Sequence, residues 1–127
     1  MIKKKRKDCK ILVIDDDAEI LKLIEAILAS AGYQVESALS GRKALEIAEI
    51  ADGNVDLLLT DVVMPEMNGE ELALVFKQAY PRTKVIFMSA YLRPAAARFE
   101  EYYGKTDFIL KPFTPEKLIG QVKRALF

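Results

Sequence analysis

From Lys10 onward, short apolar runs alternate with longer stretches in which apolar residues recur every three or four positions. The runs KILVI (10–14), YQVES (33–37), VDLLL (55–59), KVIFM (84–88) and DFIL (107–110) have strand length and are mostly apolar, often β-branched. They read as strands buried in a sheet. Between them the helical period holds. Ile20, Ile24, Ile27, Leu28 and Ala31 share one face, and Gly32 is placed to end that helix in a left-handed turn. Ser40 caps a second helix carrying Ala44, Leu45 and Ala48, which gives out near Gly53. A third follows Gly69, with Leu72, Val75, Phe76 and Ala79 inward, and Pro81 closes it. Pro94 suits the first turn of a fourth helix ending at Gly104. Thr114 and Pro115 suit the cap and first turn of a fifth, with Leu118, Val122 and Leu126 on one face.

Five repetitions of strand then helix predict an α/β fold, a parallel sheet covered on both sides. Right-handed crossovers make it a doubly wound, flavodoxin-like (βα)5 sheet in the order 2-1-3-4-5. A length of 127 residues favours a single domain. That domain spans residues 10–127, preceded by a basic tail or linker over 1–9.

Charge is unevenly laid out. Residues 3 to 7 hold five of the 19 basic residues and no acid, which leaves 14 bases against 19 acids, a net −5, in the remainder. An acidic body with a short basic leader is a poor nucleic-acid binder, so the leader reads as solvated. No apolar run reaches the roughly 18 residues that a membrane span requires. Cys9 is the only cysteine, which excludes an internal disulfide and fits a cytoplasmic setting.

Ligands of such sheets bind beyond the carboxyl ends of the strands, where the order reverses, here between strands 1 and 3. Strand 1 ends in Asp15 and Asp16, strand 3 in Thr60 and Asp61, strand 4 in Ser89 and strand 5 in Lys111. Two carboxylates about 5 Å apart at an effective dielectric near 20 repel by roughly 3 kcal/mol. Three of them call for a proton, a lysine or a divalent cation. Lys111 supplies one charge; Mg2+ supplies two and prefers carboxylate and water oxygens, with Mn2+ able to substitute. Asp17 reads as a helix cap, a task that needs only one acid.

The stretches ILVIDDD, LLLTDVVMPEMNG, MSAY and DFILKPF resemble, in order and spacing, the landmarks of the receiver domains of two-component response regulators. The resemblance covers nearly all of residues 10 to 127. It implies that Asp61 is the phosphate acceptor, that Asp15, Asp16, Asp61 and the Val63 carbonyl are metal ligands, and that Ser89 is the switch hydroxyl. It also makes Lys111 the site lysine, Phe108 the aromatic switch position, and the Lys111–Pro112 bond cis. By that resemblance the chain takes a phosphoryl group from a phosphohistidine and switches conformation to signal. It catalyses nothing beyond its own phosphorylation and dephosphorylation. The chain contains no histidine, so the donor is a histidine kinase or a histidine phosphotransfer domain. The expected output surface, for an effector or a second copy, is made by helix 4, strand 5 and helix 5. Tyr91 and Val63, each two residues past a site residue, border the path of attacking water and predict slow dephosphorylation. KPFTPEKL and VIFMSAY are similar to receivers at the ends of hybrid sensor kinases, which would make the leader a linker remnant.

Three other readings compete. A haloacid-dehalogenase-type phosphatase would use Asp15 as nucleophile, but Glu19 stands where its signature needs threonine. A flavodoxin would need a hydroxyl- and glycine-rich loop after strand 1, where three aspartates would instead repel phosphate. A receiver-like interaction module that is never phosphorylated would have no use for the acids or for Lys111.

Overall fold

The computed structural model describes residues 4–90 and 96–127. Five strands, β1 (Lys10–Ile14), β2 (Gln34–Ala38), β3 (Leu57–Asp61), β4 (Lys84–Ser89) and β5 (Asp107–Leu110), alternate with five helices. These are α1 (Ala18–Ser30), α2 (Gly41–Ile50), α3 (Gly69–Ala79), α4 (Ala97–Tyr103) and α5 (Pro115–Leu126). The strands form one parallel sheet in the order β2-β1-β3-β4-β5, as the crossover argument predicts.

Period-two alternation divides the core between the two faces. Leu12, Ile14, Leu58 and Phe87 point to one side, where Ala44, Ala48, Leu72, Phe76 and Phe99 of α2, α3 and α4 cover them. Ile11, Val13, Leu57, Leu59, Ile86 and Ile109 point to the other, against Leu21, Ile24 and Leu28 of α1 and Leu118 and Val122 of α5. Both faces being covered is why the central strands read as continuous apolar runs. Side-chain caps start four helices: Asp17, Ser40, Asn68 and Thr114 each accept a backbone N–H from the first turn. Caps follow strand ends closely, so the helix N-termini and the strand carboxyl ends meet at the same edge.

The differences from the expected elements have local causes. β3 begins at Leu57 rather than Val55, because the Val55 amide turns back to Gly53 O at 2.8 Å. β2 lies one residue later than expected, its register fixed by Lys10 opposite Gln34. In α3 the inward face is Leu72, Ala73 and Phe76, and Val75 is 43% exposed. Its phase is set by a capping box, in which Asn68 and Glu71 exchange side-chain and backbone bonds. Pro94, expected in the first turn of helix 4, and Tyr91 lie outside the described residues.

The leader is not wholly solvated. Arg6–Asp8 form a short 3-10 helix, and Cys9 is buried. The Lys4 ammonium sits 2.7 Å from Asp56 Oδ1, Gln34 Nε2 donates to Lys7 O at 2.7 Å, and the Arg6 guanidinium lies 5.9 Å from the Tyr33 ring centroid. Sequence composition shows the charges of this segment but not the acid and the ring that receive them.

Candidate functional site

The β1 backbone runs straight into the first acid. The Asp15 amide donates to Ala38 O at 3.3 Å, which carries the β2 pairing one residue past the strand. Asp15 is 1% exposed, and its Oδ1 accepts the Asp17 amide at 3.0 Å. Asp17 in turn caps α1 by accepting from the amides of Glu19 and Ile20, the role read from the sequence. Asp16, between them, is left exposed at the surface.

β3 delivers the third acid. Asp61 is the last residue of the strand, opposite Met88 of β4, and its side chain is 13% exposed. One carboxylate oxygen each from Asp15, Asp16 and Asp61 lie within 4.8 Å of one another. β5 delivers the counter-charge: the Lys111 ammonium donates to Asp15 Oδ2 at 2.7 Å and stands 3.4 Å from Asp61 Oδ1. The Lys111 amide donates to Ser89 O at 2.8 Å, which ties the lysine to the end of β4. The Lys111–Pro112 bond is cis.

The electrostatics follow from that crowding. Burial pushes the Asp61 carboxyl above its ordinary range; the Lys111 charge pulls it back, and the Asp15 and Asp16 charges raise it further. For Lys111, burial is the largest single influence and acts downward, but the hydrogen bond and charge of Asp15, with the charge of Asp61, outweigh it and raise the net value. A set of oxygen donors with one lysine suits a hard divalent cation of the Mg2+ kind.

The structure therefore brings Asp15, Asp16, Asp61 and Lys111 together at one edge. Ser89 is buried at the end of β4. Val63 lies in the loop after β3 and is 67% exposed. Phe108 is half-buried against Phe87, ring centroids 5.5 Å apart. Gly69 escaped the sequence reading as a site residue. Its amide donates to Val62 O at 2.8 Å, and a Cβ there would sit 2.0 Å from Asp61 O. Only glycine lets α3 begin this close to the strand end, so Gly69 fixes the loop that leaves Asp61 and carries Val63. The signal available was the turn-like Met67-Asn68-Gly69, which gives no hint of what the turn approaches. Thr60, fully buried, donates its hydroxyl to Asp61 O at 2.9 Å and braces the same peptide.

Comparisons with known proteins agree with this fold. The sensor kinase CckA of Brucella abortus is 42% identical over 116 residues, 91% of this chain, and the chain spans only 12% of that kinase. The structure of CheY4, a chemotaxis protein of Vibrio cholerae, superimposes with a TM-score of 0.83 at 32% identity, covering 93% of this chain and 98% of that one. The response regulator TrrA of Thermotoga maritima, solved in complex with Mg(2+)-BeF, gives a TM-score of 0.77 at 29% identity, over 93% and 99% of the two chains. Residues 11–123 match the sequence model of the response regulator receiver domain. With that match over most of its length and a 2-1-3-4-5 sheet, the chain belongs to the response regulator receiver domain family of two-component signalling.

Proposed function

We propose that Asp61 is the phosphoacceptor, taking a phosphoryl group from a phosphohistidine on a histidine kinase or a histidine phosphotransfer domain. One observation carries this reading: of the two acids that Lys111 touches, Asp15 is sealed at 1% exposure and locked by two hydrogen bonds, whereas Asp61 keeps an open edge. An Asp61 oxygen attacks phosphorus in line with the departing imidazole nitrogen. The P–N bond breaks, a P–O bond forms, and the imidazole takes a proton from solvent. Lys111, already positioned between Asp15 and Asp61, is the counter-ion for an equatorial phosphoryl oxygen. Asp15, Asp16, Asp61 and the Val63 carbonyl would hold Mg2+ or Mn2+, which when bound supplies two positive charges to those oxygens. TrrA carrying Mg(2+)-BeF supports that choice of metal.

Output follows from the same geometry. A phosphoryl group on Asp61 offers an acceptor to the Ser89 hydroxyl at the end of the neighbouring strand. Movement there changes the space beside Phe87, against which Phe108 packs, and so alters the surface of α4, β5 and α5. That surface is the contact for an effector or a second copy. The chain's chemistry is confined to its own phosphorylation and dephosphorylation, in the cytoplasm. The likeness to CckA supports a place within a hybrid kinase, with residues 1–9 a linker to it. Incubation with Mg2+ and a small phosphodonor, followed by intact mass, tests the acceptor. One phosphate should add to wild type and to Asp15→Asn at a reduced rate, and none to Asp61→Asn. An adduct that persists in Asp61→Asn and vanishes in Asp15→Asn overturns the reading and makes Asp15 the nucleophile.

A further inference from the structure

At the opposite edge of the sheet, where β4 and β5 begin, a cavity of about 340 Å3 opens between α3, α4 and α5. Lys77, Lys84, Lys105 and Arg124 line it, with Phe99 and Tyr103 as aromatic walls; Asp107 is its single carboxylate. Four cations against one acid leave a formal charge of +3. Among the described residues none of the four forms an ion pair within 4.0 Å. Lys77 is the most enclosed: its ammonium donates to Pro81 O and Thr83 O, both at 2.9 Å, and lies 5.8 Å from the Tyr103 ring centroid. Burial first, and then the Lys84 charge, pull its pKa down. Four cationic side chains lining one concavity with a single acid mirror the carboxylates at the other edge, with the sign reversed. An anion would relieve them.

We propose that this cavity binds a small organic phosphate of the nucleoside diphosphate kind, its phosphates among Lys84, Lys105 and Arg124 and its ring on Tyr103. The volume lies at the lower end of small-molecule sites, which admits a compact ligand and not a folded partner. Arginine's fork and the lysine point charges suit phosphate oxygens, and Tyr103, 42% exposed at the cavity wall, offers an aromatic surface to a flat ring. Asp107, whose ionised carboxylate accepts and does not donate, suits a sugar hydroxyl or a ring amine. This site shares no residue with the Asp61 centre and stands whether or not that centre is phosphorylated.

The test is a titration of the 15N-labelled chain in EDTA, which keeps divalent-assisted phosphate binding away from Asp61. ADP, pyrophosphate and adenosine are the probes. ADP should give saturable shifts at Lys84, Lys105, Thr106 and Arg124, with weaker binding of pyrophosphate and none of adenosine. The double variant Lys84→Glu/Arg124→Glu, altering two exposed side chains, should lose affinity for ADP by about tenfold or more while melting as wild type does. Absence of saturation up to ~5 mM ADP overturns the proposal. So does ADP binding on the basic leader, unchanged affinity in the double variant, or tighter binding of a glutamate-rich peptide at the same residues.

Discussion

Replacing Asp61 with asparagine should stabilise the protein in EDTA and make it the less stable of the two in Mg2+, so that the two melting orders cross. Each of the other two carboxylates lies within 4.8 Å of Asp61, a repulsion of about 3.5 kcal/mol apiece at an effective dielectric near 20. The Lys111 ammonium at 3.4 Å returns about 5 kcal/mol on the same scale. Asp16 is exposed, so water weakens its share, but burial of the Asp61 charge adds a penalty of its own. The balance is a net cost of about 1–2 kcal/mol for ionised Asp61 in the metal-free fold. Asparagine removes the charge and keeps an oxygen for Lys111. At this length 1 kcal/mol moves the melting temperature by about 4 °C, so the variant should melt ~4–8 °C above wild type in EDTA.

Magnesium reverses the order. A cation present at a hundred times its Kd stabilises the wild type by about 2.7 kcal/mol, or ~10 °C, and the variant by less because one carboxylate ligand is gone. The pH dependence carries a sign as well. Asp61 has a folded-state pKa above its unfolded value, so its cost is fully present above the folded pKa and disappears as pH falls toward the unfolded one. The advantage of the variant in EDTA should therefore shrink on acidification, while the carboxylates remote from the site, shared by both proteins, cancel in the difference. Calorimetric melts across pH with and without Mg2+ measure all of this. A variant that melts at or below wild type in EDTA, or an equal Mg2+ gain for both proteins, would refute the reasoning.

Lys111→Met should lose about 3 kcal/mol in EDTA, because the buried Asp15 keeps its charge without its partner, and Mg2+ should restore part of the loss in denaturant melts. Gly69→Ala should lose about 2–3 kcal/mol and most of its phosphate uptake, since a Cβ placed 2.0 Å from Asp61 O forces the loop away from the strand end; wild-type uptake in that variant would show that the approach is unnecessary. Tyr33→Phe should be neutral or slightly stabilising in urea, because the buried Tyr33 hydroxyl has no hydrogen-bond partner among the described residues.

Most of the fold was legible because both faces of the sheet are buried. Double burial writes apolar runs for β1, β3 and β4, and single-sided burial writes the helical stripes of α1 and α5. The acid cluster was legible for a related reason: Asp15, Asp61 and Lys111 each stand at or just past the end of a strand, and a doubly wound topology brings those ends together. Contacts between segments without a regular pattern were not legible. Val75 turned outward because a capping box, not the apolar count, sets the phase of α3. Gly69 gave no sign of its approach to Asp61, since that closeness arises only when α3 docks. Lys77, Lys84, Lys105 and Arg124 are scattered over α3, the start of β4, the turn before β5 and α5, and nothing in their spacing announces a shared cavity.

The carboxylates at the site oppose folding locally, and the core makes their presence tolerable. Leu12, Ile14, Leu58, Leu59, Ile86 and Phe87 are fully buried directly beneath the strand ends, so the strands cannot splay to relieve the repulsion without opening the interior. That strain is repulsion among like charges, and it is released by something positive entering between the acids or by a change at Asp61 itself. A divalent cation would do the first, and neutralising Asp61 would do the second. Each can shift conformation only by its differential free energy between the two states. The uncompensated charge among Asp15, Asp16 and Asp61 is where that differential resides. A chain with the same core and a neutral residue at 61 would keep the fold, gain stability without metal, and have nothing to release.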